Sequence, residues 1–310
     1  MDVIVVVPCY NEADRLPVET FVSYLGAHPQ VGFVLVNDGS RDGTLAVLSA
    51  LATRYPAQVS VLDLQPNGGK AEAVRRGLLS AIERRPAIVG FWDADLATPL
   101  DAIDMFEKLL GGRPDIEWVI GARVKLLGRQ VERQELRHYL GRVFATAASL
   151  VLGIPVYDTQ CGAKLFRVEA AFADSLQQRF GSRWIFDVEL IGRFMERLRA
   201  AGVEHPENRI YEYPLLKWVD VRGSKVKPTD FLRAFAELVG IWFRLRRDRR
   251  GLGLGSQGAR EQGARELGPN GAIRGSLSTT GSLFGAIRAP LSAIERHSGT
   301  FDGQLREKWG

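Results

Sequence analysis

Two carboxylates one residue apart, Asp93 and Asp95, directly follow an apolar run that ends at Trp92. Acids beside the end of a buried strand are costly to place unless a cation lies between them. Such oxygens suit Mg²⁺ or Mn²⁺, which takes one or two carboxylates and completes its shell with phosphate oxygens and water. The same spacing also occurs in solvated loops whose acids cap the next helix. The pair alone therefore leaves a metal site and a capping loop both open.

Three further polar groups have residue types that could bind a nucleotide diphosphate. Asp38 can accept from a ribose hydroxyl or a base N–H, although it could equally cap a helix. Residues 67–70 read Asn-Gly-Gly-Lys, which places a cation at a helix start and suits phosphate oxygens. A structural Gly-Gly turn has the same form. Arg123 could face the same crevice or the solvent.

The elements that must position these groups are short apolar strands alternating with helical patterns. This alternation is typical of an α/β fold with a mostly parallel sheet. Each polar group follows the carboxyl end of a strand, and ligands bind at that edge in open α/β sheets. The sequence therefore predicts one nucleotide-diphosphate site. The expected strands are residues 3–8, 33–37, 59–64, 87–92 and 118–121.

Composition sets limits on the class of protein. The chain has 310 residues, 45% of them hydrophobic, which is enough for a sizeable core. Its two cysteines form no disulfide framework or metal-binding spacing. The apolar run at residues 3–7 is too short for a signal peptide or a membrane span. We therefore expect a protein of a reducing compartment, without a transmembrane segment.

Four motifs in this order resemble those of the family 2 inverting glycosyltransferases, which have the GT-A fold. They are residues 8–12 (Pro-Cys-Tyr-Asn-Glu), 37–44 (Asn-Asp-Gly-Ser-Arg-Asp-Gly-Thr), 67–70 and 93–95. Within the family the chain is most similar to the polyprenyl-phosphate hexose synthases, in particular the dolichyl-phosphate β-glucosyltransferases. That narrower resemblance comes from residues 158–166 (Asp-Thr-Gln-Cys-Gly-Ala-Lys-Leu-Phe), 184–189 (Trp-Ile-Phe-Asp-Val-Glu) and 223–225 (Gly-Ser-Lys). It extends over about residues 1–245.

The resemblance implies a nucleotide-sugar site and a Mg²⁺ or Mn²⁺ cofactor. Asp93 and Asp95 are the implied metal ligands. Mannosyl-phosphate synthases can offer a further side-chain ligand two residues after the second Asp, where this chain has Ala97. The implied nucleotide-sugar contacts are Pro8, Tyr10, Glu12, Asp38, Lys70, Asp93, Ala94 and Asp95.

The resemblance also assigns residues to catalysis and to the acceptor. Asp187, near a helix start, matches the acidic position often described as the catalytic base, although such an acid also favours the helix dipole. Arg123, Arg137 and Lys225 are the cations expected to meet an acceptor phosphate. Arg137 lies in a helical pattern at 135–152 that could simply cover the sheet. The implied catalytic residues are Asp187, Asp93, Arg123 and Arg137.

Residues 228–250 read as one helix with an apolar side and an arginine-rich end. Such a helix can lie on an anionic membrane surface, or it can dock on the core with its arginines in solvent. We expect membrane contact. The predicted organisation is a GT-A catalytic domain at 1–227, this amphipathic helix, and a Gly/Ser/Arg-rich, disordered tail at 251–310.

The sequence predicts an enzyme that moves a hexose from a nucleotide sugar, with UDP-glucose favoured, to a polyprenyl or dolichyl phosphate. The expected location is the cytoplasmic side of a membrane, as a peripheral protein. The alternatives are a GDP-mannose donor, a soluble hydroxyl acceptor, or a nucleotide-sugar-binding protein without turnover. Nucleic acid is not an expected partner, because no recognition motif accompanies the formal charge of +5.

Overall fold

The computed structural model describes residues 2–132, 135–219 and 228–251, without the side chains of 132–140 and 228–232. Within them, seven strands form one sheet in the order β3-β2-β1-β4-β7-β5-β8, and β6 pairs with β9 in a small second sheet. The five expected strands are all present, with ends that differ by at most two residues. The strands are β1 Val3–Cys9, β2 Val31–Asp38, β3 Val59–Leu64, β4 Ile88–Trp92, β5 Trp118–Ala122, β6 Gln130–Glu132, β7 Ala163–Arg167, β8 Ile210–Pro214 and β9 Lys217–Val219.

The four strands β3, β2, β1 and β4 are parallel neighbours. Strands β1, β2 and β4 are continuous apolar runs because helices cover both faces of the sheet. Their carboxyl ends meet at one edge, so the residues after each strand gather there. The mostly parallel α/β sheet expected from the sequence is confirmed.

Strand β7 was not expected from the sequence. It lies between β4 and β5 and runs antiparallel to both. Its register places Ala163 opposite Trp92, so the turn before β7 lies beside the acids that follow β4. Gly90 permits the close approach, because a Cβ there would overlap the backbone of Lys164. The short strand contains a lysine, which interrupts the apolar pattern that identified the other strands.

Helices pack on both faces of the sheet and divide the core in two. One face carries α1, α2 and α4, and the other carries α3, α5, α6, α7 and α8. Cys9 and Cys161 are buried free thiols, and burial raises their pKa values to about 12 and about 11, respectively. The helices are α1 Val18–Ala27, α2 Thr44–Arg54, α3 Lys70–Glu83, α4 Ala102–Gly112, α5 Glu135–Leu152, α6 Ala170–Ser175, α7 Phe186–Ala200 and α8 Pro228–Gly251.

The expected C-terminal helix is present as α8, and one side of it docks on α5 and α7. Leu238, Ile241 and Leu245 on that side are buried in the core. On the other side, Val239 and Phe243 remain more than half exposed. One side of α8 is therefore docked on the core. Its other side exposes apolar residues that no described part of the chain covers.

Two buried glutamates on α7 hold the arginine-rich end of α8. Glu189 pairs with Arg244 at 3.4 Å, and Glu196 pairs with Arg249 at 2.7 Å. Each glutamate also pairs with an arginine of its own helix. Two of the arginines that were expected to contact lipid, Arg244 and Arg249, thus attach α8 to α7.

No helix in the described part of the chain is both long and apolar enough to cross a membrane. The tail was expected at 251–310; Gly251 is the last residue of α8, and residues 252–310 lie outside the described part of the chain, as does the segment 220–227, which includes Lys225. The expected domain boundaries remain a prediction, and α8 shares a core with the catalytic part.

Candidate functional site

The centre of the site is an ion pair between the first residue of α3 and the first acid after β4. The Lys70 ammonium lies 2.5 Å from Asp93 Oδ1, and both side chains are nearly two-fifths exposed. Burial acts to lower the pKa of Lys70, but Asp93 and Asp187 outweigh it and leave that pKa above its ordinary value. Residues from α3, the β4 end and α7 therefore act on one another here.

Asp38 holds the loop that delivers Lys70. Its Oδ1 accepts from the Gly68 backbone N–H at 2.8 Å, and its Oδ2 accepts from Gly69 N–H and the Asn67 amide, both at 2.9 Å. The carboxylate does not cap α2, whose first turn follows Gly43 without a side-chain cap. Asp38 is almost fully buried. Its visible role is to fix the Asn-Gly-Gly-Lys loop, and its expected contact with a nucleotide stays a prediction.

The turn before β7 supports Asp93. The Asp93 N–H donates to the Gly162 carbonyl at 2.9 Å. A Cβ at residue 162 would overlap the Asp93 carboxylate, so only glycine leaves that carboxylate its position. The sequence had shown this segment only as a family motif. Its glycine could not be linked to Asp93 without knowing that β7 pairs with β4.

Asp187, the expected catalytic acid, lies in the first turn of α7 and is buried against a lysine of β7. The Lys164 ammonium is 2.7 Å from Asp187 Oδ1, and the two side chains are 1% and 6% exposed. Lys164 also donates to the Cys161 carbonyl and lies 4.9 Å from the centre of the Phe91 ring. Burial raises the pKa of Asp187, while Lys164 and Lys70 oppose that rise. Sequence reasoning missed Lys164.

Asp93 and Asp95 are the acids that could hold a divalent cation, with substrate phosphates and water as its other ligands. Asp95 Oδ1 accepts from the Ala97 N–H at 3.1 Å, which orients the carboxylate although Ala97 has no ligand of its own. Burial and then the negative charge of Asp93 raise the pKa of Asp95. A cation bound between the two acids would counter that rise. The described residues contain no group of three or more metal-ligating side chains. Two carboxylates with phosphate and water ligands match the usual sites of Mg²⁺.

The loop after β1 forms the other side of the expected nucleotide pocket. Tyr10 is 40% exposed, and the Glu12 carboxylate pairs with Arg15. The Asn11 N–H donates to Ser40 Oγ at 3.1 Å, which ties this loop to the loop after β2. The loop is therefore fixed at the same sheet edge as Asp93. Pro8, Tyr10, Glu12 and Ala94 all lie at this edge, at or just after the ends of β1 and β4.

Arg123 has a different environment from the one expected. It forms a bidentate pair with Asp158, Nε to Oδ2 at 2.6 Å and Nη2 to Oδ1 at 2.8 Å. Burial opposes its charge, yet Asp158 outweighs burial and raises the pKa of Arg123. Asp158 therefore offsets the charge of Arg123 and fixes the orientation of its guanidinium group. Arg137 lies on α5, but its side chain is outside the described part, and Lys225 is outside it altogether.

Similar proteins are found by sequence. Residues 4–172 match the family model described as Glycosyl transferase family 2. A dolichyl-phosphate beta-glucosyltransferase of Trichomonas vaginalis is 32% identical over 256 residues, covering 77% of this chain and 71% of that protein. Enzymes of the same name from Drosophila melanogaster and Homo sapiens are 32% and 31% identical. Those matches cover 79% and 72% of this chain, and 75% and 69% of the relatives.

Similar folds are found among solved structures. Glucosyl-3-phosphoglycerate synthase from Mycobacterium tuberculosis, in complex with Mn²⁺, UDP-glucose and glycerol 3-phosphate, superposes with a TM-score of 0.54 at 19% identity. The match covers 78% of this chain and 79% of that one. A second complex, with Mn²⁺, UDP and glucosyl-3-phosphoglycerate, gives a TM-score of 0.52 at 20% identity. These matches confirm the GT-A fold expected from the sequence.

Proposed function

This chain belongs to glycosyl transferase family 2, and we propose that it transfers glucose, with inversion, from UDP-glucose to a polyprenyl phosphate of the dolichyl type at a membrane surface. The observation that carries the proposal is the grouping of Lys70, Asp93 and Asp95 with Asp187 at one sheet edge. Relatives at about 31% identity that are named dolichyl-phosphate beta-glucosyltransferases support the choice of glucose and lipid.

The donor half of the proposed reaction uses Asp93, Asp95 and Lys70. A divalent cation held by the two acids would neutralise charge on the leaving diphosphate. Lys70, at the start of α3, adds a positive charge where phosphate oxygens are also favoured by the helix N-terminus. Asp38 keeps this lysine in place through the loop that it anchors. The mouth of the site therefore has the charge that a nucleoside diphosphate requires.

The acceptor half depends on the ionisation of the phosphate. A phosphate monoester has a second pKa near 6, so its oxygen is already a nucleophile at pH 7 and needs no base. That oxygen attacks the anomeric carbon as the bond from this carbon to the UDP oxygen breaks. Asp187, held by Lys164, then orients the sugar or the acceptor and removes no proton. A hydroxyl acceptor would instead need a general base to take its proton.

The cations proposed to contact the acceptor phosphate are again Arg123, Arg137 and Lys225, but the structure weakens the case for Arg123. Arg123 is bound to Asp158 through Nε and Nη2, so only its remaining N–H groups could contact an acceptor phosphate. Arg137 and Lys225 keep the role proposed from the resemblance. For Arg123, support of the site through Asp158 and the segment that follows it agrees better with the geometry.

Membrane contact is proposed for the exposed apolar side of α8 and the neighbouring part of α5. Val239 and Phe243 are one turn apart on α8, and Val143 and Leu150 on α5 are also well exposed. Arg246 stacks on Trp242 at 3.7 Å, an arrangement that suits the lipid headgroup region. A lipid acceptor would be reached from this side.

The test of the reaction is product formation from defined substrates. Purified full-length protein with Mg²⁺ or Mn²⁺ and a polyprenyl phosphate should transfer label from UDP-glucose, but not from GDP-mannose, into extracted lipid. Asp95→Ala should abolish this transfer and leave the fold intact, because no core packing is lost. Label in a water-soluble product, or transfer from GDP-mannose alone, would contradict the proposal.

The membrane contact needs a test that spares the core. Deleting α8 is unsuitable, because Leu238, Ile241 and Leu245 are core residues. Val239→Ser with Phe243→Ser should instead reduce binding to anionic vesicles in a sedimentation assay. Met105→Ser is the matched control, because Met105 is 43% exposed on α4, on the opposite face of the sheet. Equal loss of binding in both variants would exclude α8 as the contact.

A further inference from the structure

Lys70 already binds one of the two acids that are expected to hold a metal. Its ammonium lies 2.5 Å from Asp93 Oδ1, a hydrogen-bond contact that places one cation on this carboxylate before any metal binds. The second acid, Asp95, forms no ion pair within the described residues and accepts one backbone N–H. The two expected metal ligands thus differ: one already has a cation, and the other has none.

We propose that Lys70 acts as a resident cation that keeps the metal subsite closed until a nucleoside diphosphate arrives and draws its ammonium away from Asp93. Metal and nucleotide would then bind together, each weakly without the other. The inference rests on the donor and metal assignments of the proposed function. It does not depend on the identity of the sugar or of the acceptor.

Electrostatics explains why the lysine opposes a metal on its own. A divalent cation on Asp93 and Asp95 would lie within a few ångströms of the Lys70 ammonium. Like charges at about 4 Å repel even through water, and more strongly in a partly buried site. The metal would also have to displace the ammonium from Asp93 Oδ1. Removing the lysine charge should therefore raise the affinity for the metal alone by roughly tenfold.

The same lysine should favour the metal once a diphosphate is present. Lys70 has a flexible four-carbon stem and is 39% exposed, so its ammonium can move without disturbing the core. Phosphate oxygens near the start of α3 offer it a new partner, and its departure leaves Asp93 free to join Asp95. Asp187, which also raises the pKa of Lys70, keeps the ammonium within the site during the exchange. The effect of Lys70 on metal binding should thus change sign when UDP is added.

The experiment measures Mn²⁺ binding and no turnover. Free Mn²⁺ is followed by its electron paramagnetic resonance signal, with and without saturating UDP, for the natural chain, Lys70→Met, Lys70→Arg and Arg76→Met. Arg76 lies on the same helix, is exposed and forms no pair with Asp93, so its variant controls for the loss of one positive charge. Thermal unfolding of each variant shows that it is folded.

Without UDP, Lys70→Met should bind Mn²⁺ about tenfold more tightly than the natural chain, while Lys70→Arg and Arg76→Met stay within about twofold. With UDP the order should reverse, and Lys70→Met should bind Mn²⁺ more weakly than the natural chain. Equal or weaker binding by Lys70→Met without UDP would overturn the inference and leave the proposed function intact. If no sample binds Mn²⁺ even with UDP, the metal assignment is wrong and the inference is wrong with it.

Discussion

The site contains two lysine–aspartate pairs with similar spacing and very different surroundings. Lys164 and Asp187 are 2.7 Å apart and almost completely buried on the floor of the site. Lys70 and Asp93 are 2.5 Å apart at its mouth, and each is nearly two-fifths exposed. A sealed pair has lost its hydration and depends on its partner, whereas water and salt screen an open pair. Identical residue types therefore form a fixed part and an exchangeable part of one site.

The difference follows from the elements that carry each pair. Lys164 lies on a central strand, opposite Phe91, and Asp187 lies in a helix whose buried face covers that strand. Lys70 is instead the first residue of a helix and Asp93 directly follows a strand, at the edge where ligands bind in open α/β sheets. A charge inside the sheet sets geometry, and a charge at its edge can change partner when a ligand arrives.

The largest expected effect comes from breaking the sealed pair. Lys164→Met should lower the free energy of unfolding by about 3–5 kcal/mol, because it leaves a buried carboxylate without its cation. Lys70→Met, which breaks the open pair, should cost at most about 1 kcal/mol. Urea unfolding of the two variants measures both values. Similar costs for the two variants would show that the pairs do not differ as their exposure indicates.

A large effect on catalysis, without loss of the fold, is expected from Gly162→Ala. The added methyl group would push the Asp93 carboxylate aside and disturb the open pair, while the sealed pair remains. A displacement of about 1 Å can cost roughly 10²-fold in rate, so kcat/KM for the donor should fall by at least about that factor. Steady-state kinetics with a circular dichroism spectrum tests this. Gly111→Ala, on α4, is the control for an alanine replacing glycine, because nothing lies within 4 Å of the added methyl group and the backbone there does not have a positive φ.

A smaller effect is expected when the sealed pair is neutralised as a unit. Asp187→Asn alone leaves a buried ammonium unpaired and should be unstable, so its activity would be hard to interpret. The double variant Lys164→Met with Asp187→Asn removes both charges and should recover most of the stability lost by either change. Its kcat should fall by less than about 10²-fold, because a phosphate acceptor needs no general base. A loss of 10⁴-fold in a stable double variant would indicate that Asp187 removes a proton.

The smallest effect concerns the acid limb of the pH–rate profile between pH 5 and 8. Activity should fall below about pH 6, because the acceptor phosphate gains a proton there. Burial raises the pKa of Asp187, so its protonation adds to the loss as the pH decreases further. The natural chain should therefore show a steeper fall at low pH than the double variant, in which only the phosphate titrates. Identical slopes would mean that Asp187 stays ionised throughout the range.

The sequence predicted the residues at the mouth of the site better than the buried residues beneath them. Asp93, Asp95 and Lys70 follow strand ends that local apolar runs reveal, so their meeting at one edge could be inferred from the sequence. Lys164 and Gly162 act through the pairing of β7 with β4, a contact between distant segments that no local pattern shows. Arg123 was placed after the correct strand, but its bidentate partner Asp158 is 35 residues away. Positions along the chain were thus predictable, and long-range partners were not.

The placement of β7 also has a consequence for how the chain is synthesised. Strands β1 to β4 are consecutive in sequence and can pair as soon as they leave the ribosome, because N-terminal parts fold first. The gap between β4 and β5 stays open until residues 163–167 have been translated, about 70 residues after Asp93. Pairing across such a separation is slow, because a long loop must close first. A nascent chain therefore pairs strands β1 to β4 before insertion of β7 places Gly162 beside Asp93 and sets Lys164 where Asp187 will pair with it.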